Sequence, residues 1–162
     1  MTLDIKTIVC ATDFSETAGR AVEYAQELTE KFDAELHLLH VIHDYSTEWP
    51  TYGDGVVFPG YLEHIGEKQE DLEVAALNKL HEQLPAEWQR AHKVALAVQQ
   101  GKQFVEIVRF AKDVNADLIV IGTHGRGMLA HAFLGSVAEK VVQKAPCPVL
   151  TVKAEEHQFE AP

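Results

Sequence analysis

Residues 120–142 read VIGTHGRGMLAHAFLGSVAEKVV. The run begins at the end of an apolar strand, Leu118 to Ile121, and passes through Gly122, Gly125 and Gly127. It then reaches Gly135 immediately before Ser136, whose hydroxyl can cap the helix that follows. Strand, glycine turn and helix start, in that order, bring several backbone amides close together. Glycine lacks a Cβ and accepts positive φ, so the chain can aim those amides inward. The helix start adds unpaired N–H groups and the positive end of a dipole. The stretch therefore reads as a cradle for a polyphosphate, bordered by Ile121 and Val137, with Arg126 as its one basic side chain.

Working outward, the same alternation fills the chain. Lys6 to Ala11 is a β-branched run, and Ser15 is an N-cap ahead of Ala18, Ala21, Val22, Ala25 and Leu28 at helical spacing. Glu35 to Ile42 is a second strand. Leu62, Ile65, Leu72, Ala76 and Leu80 mark a long second helix that stops at Pro85. Lys93 to Gln99 is a third strand, and Phe104, Ile107, Val108, Ala111 and Val114 are a third helical stripe. After Leu118 to Ile121 come a short helix, Ser136 to Gln143, and a last strand, Pro148 to Val152. Short, nearly continuous apolar strands alternating with helices predict an α/β fold, a doubly wound parallel sheet with helices on both faces.

Length and composition agree with one globular unit. At roughly 150 residues per domain, the 162 residues make a single domain over 1–153, followed by an aperiodic tail over 154–162. One connection is long: 43–60, HDYSTEWPTYGDGVVFPG, carries Pro50, Gly53, Gly55 and Pro59 with Trp49, Tyr52 and Phe58. Connections of that length are functional or disordered, so a lid or subunit contact through the aromatics stands beside a mobile insertion. No apolar run approaches the ~20 residues of a membrane span. No basic segment precedes an apolar core at the N-terminus, so the expected compartment is the cytoplasm. Cys10 and Cys147 read as reduced structural thiols.

Net charge is −11, which argues against nucleic acid or an anionic membrane as partner. The acidity is uneven. Residues 1–100 hold seven basic and eighteen acidic side chains, whereas 101–162 hold seven of each, and Gly122 to Lys153 alone is +3. The glycine segment is thus locally basic, and the overall charge does not disfavour a phosphate ligand there. Glu63, Glu67, Glu70, Asp71 and Glu73 read as a solvated helix face.

Spacing decides among phosphate loops. A Walker A loop needs G-x-x-x-x-G-K-[ST], and neither Gly-Lys-Ser nor Gly-Lys-Thr occurs. The dinucleotide fingerprint would place a glycine at Ala130 and would follow the first strand rather than the fourth. A phosphoacceptor receiver would need an acidic pair after the first strand and an Asp ending the third, but Asp13 stands alone and the third strand ends Val98-Gln99-Gln100. The spacing present is Gly122-x2-Gly125-x9-Gly135-Ser136, which resembles the ATP-binding signature of the universal stress protein family. Ile8-Val9-Cys10-Ala11-Thr12-Asp13-Phe14-Ser15, His40-Val41 and Ala145-Pro146-Cys147-Pro148-Val149-Leu150 are similar to that family's other segments in order and spacing.

The resemblance implies a five-stranded sheet of order 3-2-1-4-5, adenine nucleotide alpha hydrolase-like, with its ligand crevice between the first and fourth strands. It implies ATP, with Mg2+, as ligand. Asp13 would bond to the nucleoside, Ala11 would offer only backbone and methyl, and Val41 would line the adenine pocket. Gly122, Gly125, Gly127, Gly135 and Ser136 would hold ribose and phosphates, with Ile121, Arg126 and Val137 beside them. A stress-response regulator whose nucleotide occupancy is read by a protein partner is the leading expectation, and a homodimer through the uncharged edge strand Pro148 to Val152 goes with it. The alternative is a slow ATPase or phosphotransferase, but hydrolysis needs a positioned water-orienting group. The loop offers only His124, Arg126 and His131 for that role. Strand alternation separates His37 and His43 from His40, so these do not converge as zinc ligands would.

Overall fold

Five short apolar segments form one sheet whose three inner strands bury side chains on both faces, the pattern of parallel strands sandwiched between helix layers, while the two edge strands are only partly covered. The order is β1 (Thr7–Ala11), α1 (Glu16–Phe32), β2 (Glu35–His43), α2 (Pro59–Glu82), α3 (Ala86–Ala91), β3 (Lys93–Gly101), α4 (Gln103–Asp113), β4 (Leu118–Gly122), α5 (Ser136–Lys144) and β5 (Val149–Val152). This computed structural model describes residues 4–43, 59–123 and 134–153, with 59–69 described by backbone course alone. All four pairings among the described strands are parallel, as the alternation of strands and helices predicts, and the strand order is β3-β2-β1-β4-β5, as the family resemblance implies. From β1 the chain steps outward through β2 to β3, then crosses back to lay β4 on the other side of β1. The carboxyl ends of β1 and β4 therefore diverge into a crevice, the switch point of an open sheet.

Alternation sorts the core into two layers. Ile8, Cys10, Leu36, Leu38 and Val120 pack with Ala21, Val22 and Ala25 of α1 and with Leu80 of α2 on one face. Val9, Ala11, Leu39, Ile119 and Ile121 pack with Ile107 and Ala111 of α4 and with Ala138 and Val141 of α5 on the other. Each fully buried Leu or Ile stabilises the fold by about 1.5–3 kcal/mol relative to exposure. Asp117, just before β4, fixes the register of the sheet. Its Oδ2 accepts the amides of Lys6 and Thr7 at 2.8 and 2.9 Å, and its own N–H donates to the Thr7 carbonyl at 2.8 Å.

Ser15 caps α1 as expected, its side chain accepting the Ala18 amide at 3.3 Å. The long connection is shorter than the breakers suggest. His43 completes β2, and Pro59 and Gly60 open α2. Proline fits a helix's first turn because its missing N–H would find no intrahelical partner there. The rest of that connection, with Trp49, Tyr52 and Phe58, lies outside the described residues, as does 154–162. Helix α3 is an addition. It follows Pro85 and buries none of its residues, so it carries no apolar stripe.

Both cysteines are free, Cys10 buried within β1 and Cys147 partly buried ahead of β5. Burial pushes the Cys10 thiol up to about 12, and burial with the nearby Asp117 carboxylate raises Cys147. Because the thiolate is the reactive species, Cys10 should stay unmodified by a thiol-specific disulfide reagent at pH 8 in the folded protein, and Cys147 should react slowly. Addition of denaturant should release the second equivalent. Two rapidly titrating thiols in the native protein would contradict this.

Candidate functional site

The turn from β1 into α1 is built by a chain of polar contacts. The Thr12 amide donates to the Leu39 carbonyl at 2.9 Å, which extends the β1–β2 ladder by one residue. The Thr12 hydroxyl accepts the Phe14 amide at 3.1 Å and donates to Gln83 Oε1 at 2.9 Å. Asp13 Oδ1 accepts the Ser15 amide at 3.0 Å, an Asx turn that leads into the helix cap. Phe14 adopts φ +64°, a left-handed conformation unusual for a side chain of its size. That conformation sets its ring 4.4 Å from the ring of His40. His40 Nδ1 lies 2.8 Å from the Thr12 carbonyl. A carbonyl only accepts, so Nδ1 carries a proton in this contact.

The second wall comes from β4. A Cβ placed on Gly122 would lie 3.0 Å from Thr17 Cγ2 and 3.2 Å from the Thr17 backbone carbon and oxygen. The first turn of α1 thus crosses the end of β4 so closely that a Cβ there would require it to shift by a few tenths of an ångström. Beyond it, the Thr123 amide donates to the Val152 carbonyl at 2.8 Å, and the Gly135 amide returns to the Thr123 carbonyl at 2.6 Å. The chain leaves at Thr123 and re-enters at Gly135, directly ahead of α5. Gly135 is the α5 N-cap and offers no side chain to the first-turn amides. Gly125, Arg126 and Gly127, with His124 and His131, lie outside the described residues.

Between these walls lies a cavity of about 710 Å³, within the roughly 300–1,000 Å³ range of ligand sites. Ala11, Asp13, Val41, Ile121, Gly122, Gly135, Ser136 and Val137 all line it, so every described residue singled out from the sequence faces one space. Others were not singled out as site residues. Thr12, Phe14, His40 and Gln103 join the lining, and α2 contributes Leu72, Ala75, Ala76 and Lys79. Those four α2 positions are spaced i, i+3, i+4, i+7, one face of a helix. Leu72 and Ala76 belong to the helical stripe read from the sequence, Ala75 and Lys79 do not, and the spacing did not say that this face borders the crevice. Among the described lining residues, Asp13 is the only carboxylate and Lys79 the only Lys or Arg. Lys79 Nζ sits 5.5 Å from the centre of the Phe14 ring.

The strand histidines part company. His37 meets Phe110 edge-on at 5.8 Å and lies 3.4 Å from Glu35 Oε1, away from the cavity, whereas His40, bonded at the β1 turn, and His43 both line it. Among the described residues no trio of His, Cys, Asp or Glu gathers in metal-binding fashion, and no helix is long and apolar enough to cross a membrane.

Known proteins share this architecture over most of its length. The universal stress protein MJ0531 of Methanocaldococcus jannaschii is 38% identical over 148 residues, covering 91% of this chain and 82% of that protein. The solved structure of MJ0577, a universal stress protein of the same organism, superposes with a TM-score of 0.79 at 32% identity, covering 95% of this chain and 99% of the other. A universal stress protein from Archaeoglobus fulgidus, solved in complex with dAMP, has the same fold at a TM-score of 0.53 and 24% identity, over 94% of this chain and 100% of that one. The sequence profile of the Universal stress protein family matches residues 4–153. With that match joined to the 3-2-1-4-5 sheet and the glycine-flanked crevice, the chain belongs to the universal stress protein family.

Proposed function

We propose that this protein binds ATP, with Mg2+, in the cavity between β1 and β4, and acts as a cytoplasmic stress-response regulator rather than through turnover. The observation that carries the reading is the convergence of the Asp13 turn and the α5 start on one cavity at the switch point. Asp13 supplies a carboxylate acceptor for the nucleoside, and Val41, buried at the end of β2, supplies an apolar wall for the base. The first-turn amides of α5, at Ser136 and Val137, have the charge and direction that a phosphate needs. Gly122-x2-Gly125-x9-Gly135-Ser136 adds the segment that would close over the phosphate chain, with Gly127 and Arg126 inside it. Mg2+ keeps several of its waters and binds largely through substrate phosphates; with Asp13, the only carboxylate among the described lining residues, given to the nucleoside, the ion would be held through the phosphates of ATP.

Calorimetric titration with ATP and Mg2+ tests the reading. Saturable one-site binding is expected, and no binding at millimolar ATP would overturn it. The regulatory part requires that occupancy alter a surface read by a partner protein. The homodimer would form through β5, which pairs only with β4 among the described strands and carries no charge over Val149–Val152. An unpaired apolar edge favours pairing with a second copy. Sedimentation at micromolar concentration should give a dimer, and a monomer near 18 kDa would refute it.

A further inference from the structure

The glycine signature runs from β4 to α5 and the other residues named from the sequence lie on or beside β1 and β2, but the cavity has a further wall, supplied by α2. Leu72, Ala75, Ala76 and Lys79 turn one helix face toward it, and Leu72 retains 54% of its exposure there although it is a large apolar side chain. Leu72 is thus an apolar side chain left open at the cavity and placed to meet a ligand, while Ala76 beside it and Leu80 one turn further on are buried. Lys79 ends that face. Its ammonium lies 5.5 Å from the centre of the Phe14 ring, at the turn that carries Asp13. Phe14 is itself fixed by its left-handed backbone and by His40. A cation over an aromatic face is attracted by the ring's quadrupole, so the flexible lysine stem is biased toward the cavity. In a chain of net charge −11, an anionic ligand meets long-range repulsion, and a cation on the cavity wall offsets it locally.

We propose that Lys79 is an anion-binding residue of this cavity, contributing from α2 a charge that favours nucleotides bearing a phosphate chain over the uncharged nucleoside. The proposal rests on the nucleotide reading above. It assigns to α2 a part in ligand selection that the glycine loop does not contain, with Phe14 as the positioning residue. Exchange of the ammonium for a neutral group should weaken the polyphosphate and leave the nucleoside untouched.

The test is calorimetric titration of ATP and of adenosine into the wild-type protein, Lys79→Gln and Lys79→Arg, each at low and high NaCl. The expected result is about fivefold to tenfold weaker ATP binding for Lys79→Gln, the size of one partly exposed charge-assisted contact. Adenosine affinity should stay within twofold, and Lys79→Arg should restore most of the ATP affinity. The wild-type advantage for ATP should shrink in high salt. Equal ATP affinity in wild type and Lys79→Gln would overturn the role of Lys79 and leave the nucleotide site standing. Parallel weakening of ATP and adenosine would also overturn it, marking Lys79 as structural. Absence of ATP binding to the wild type would overturn both this inference and the nucleotide reading.

Discussion

Gly122→Val should lower stability by about 3 kcal/mol, the upper end of what extra methyl groups impose on a well-packed interior. The reason is the crossing of α1 over the end of β4. Even the first added carbon meets Thr17 at 3.0 Å, and the next two atoms in reach belong to the Thr17 backbone, at 3.2 Å. A side chain could rotate away, but a helix backbone held by its own hydrogen bonds can only translate. That movement would pull Ala21, Val22 and Ala25 from the first core layer. Among the described glycines only Gly101 has a positive φ, so Gly122 is required for space and not for backbone freedom. Gly122→Ala should be milder, about 1–2 kcal/mol. In a chain of this size a loss of 3 kcal/mol corresponds to roughly 6–12 °C in Tm, readable by thermal circular dichroism. A Tm within 2 °C of wild type would show that α1 yields without strain.

That result would divide the glycine signature by physical role. The sequence assigns Gly122 to the phosphate cradle because glycines after a parallel strand permit amides to approach an anion. The geometry gives this glycine a prior duty, the close approach of α1 to β4, which in turn aligns the β1 turn with the β4 end. Gly135 has the other role, opening α5 without a capping side chain. Identical letters in one motif thus act at different levels, one on helix packing and one on access to amides.

The sheet was legible because parallel strands buried on both faces write themselves as short apolar runs. β1 and β4 fall within a residue of the limits read from KTIVCA and LIVI. Helix α3 was not legible, since six residues with none buried offer no period to detect. The start of α2 was hidden for a different reason. Pro59 and Gly60 read as breakers in a linear scan, yet proline is tolerated in the first turn of a helix. In the site, residues on β1, β2 and β4 were readable because the family resemblance supplies the strand order and the positions at the strand ends, and that order puts the switch point at β1 and β4. Lys79, Leu72 and Gln83 were not. Helical spacing identifies a face but leaves open what that face meets, and the bond between Gln83 and Thr12 joins positions 71 apart in sequence.

Asp13→Ala should reduce affinity for ATP and for adenosine alike by about 10-fold to 100-fold, since hydrogen bonds to a charged group contribute about 1.5–3 kcal/mol. Asp13 has two tasks that one substitution mixes. Its Oδ1 accepts the Ser15 amide and shapes the turn, and its carboxylate lines the cavity where a nucleoside hydroxyl would donate. Asp13→Asn separates them, because the amide oxygen can still accept from Ser15 while the negative charge is gone. The alanine variant should lose about 1 kcal/mol of stability with the turn bond, whereas the asparagine variant should melt near wild type and still bind both ligands weakly. The pairing of ligands makes the comparison decisive. A residue that holds the nucleoside must weaken ATP and adenosine together, whereas Lys79→Gln is expected to weaken ATP alone. Normal binding by Asp13→Asn with normal Tm would reduce Asp13 to a turn former and move the nucleoside contact elsewhere in the cavity.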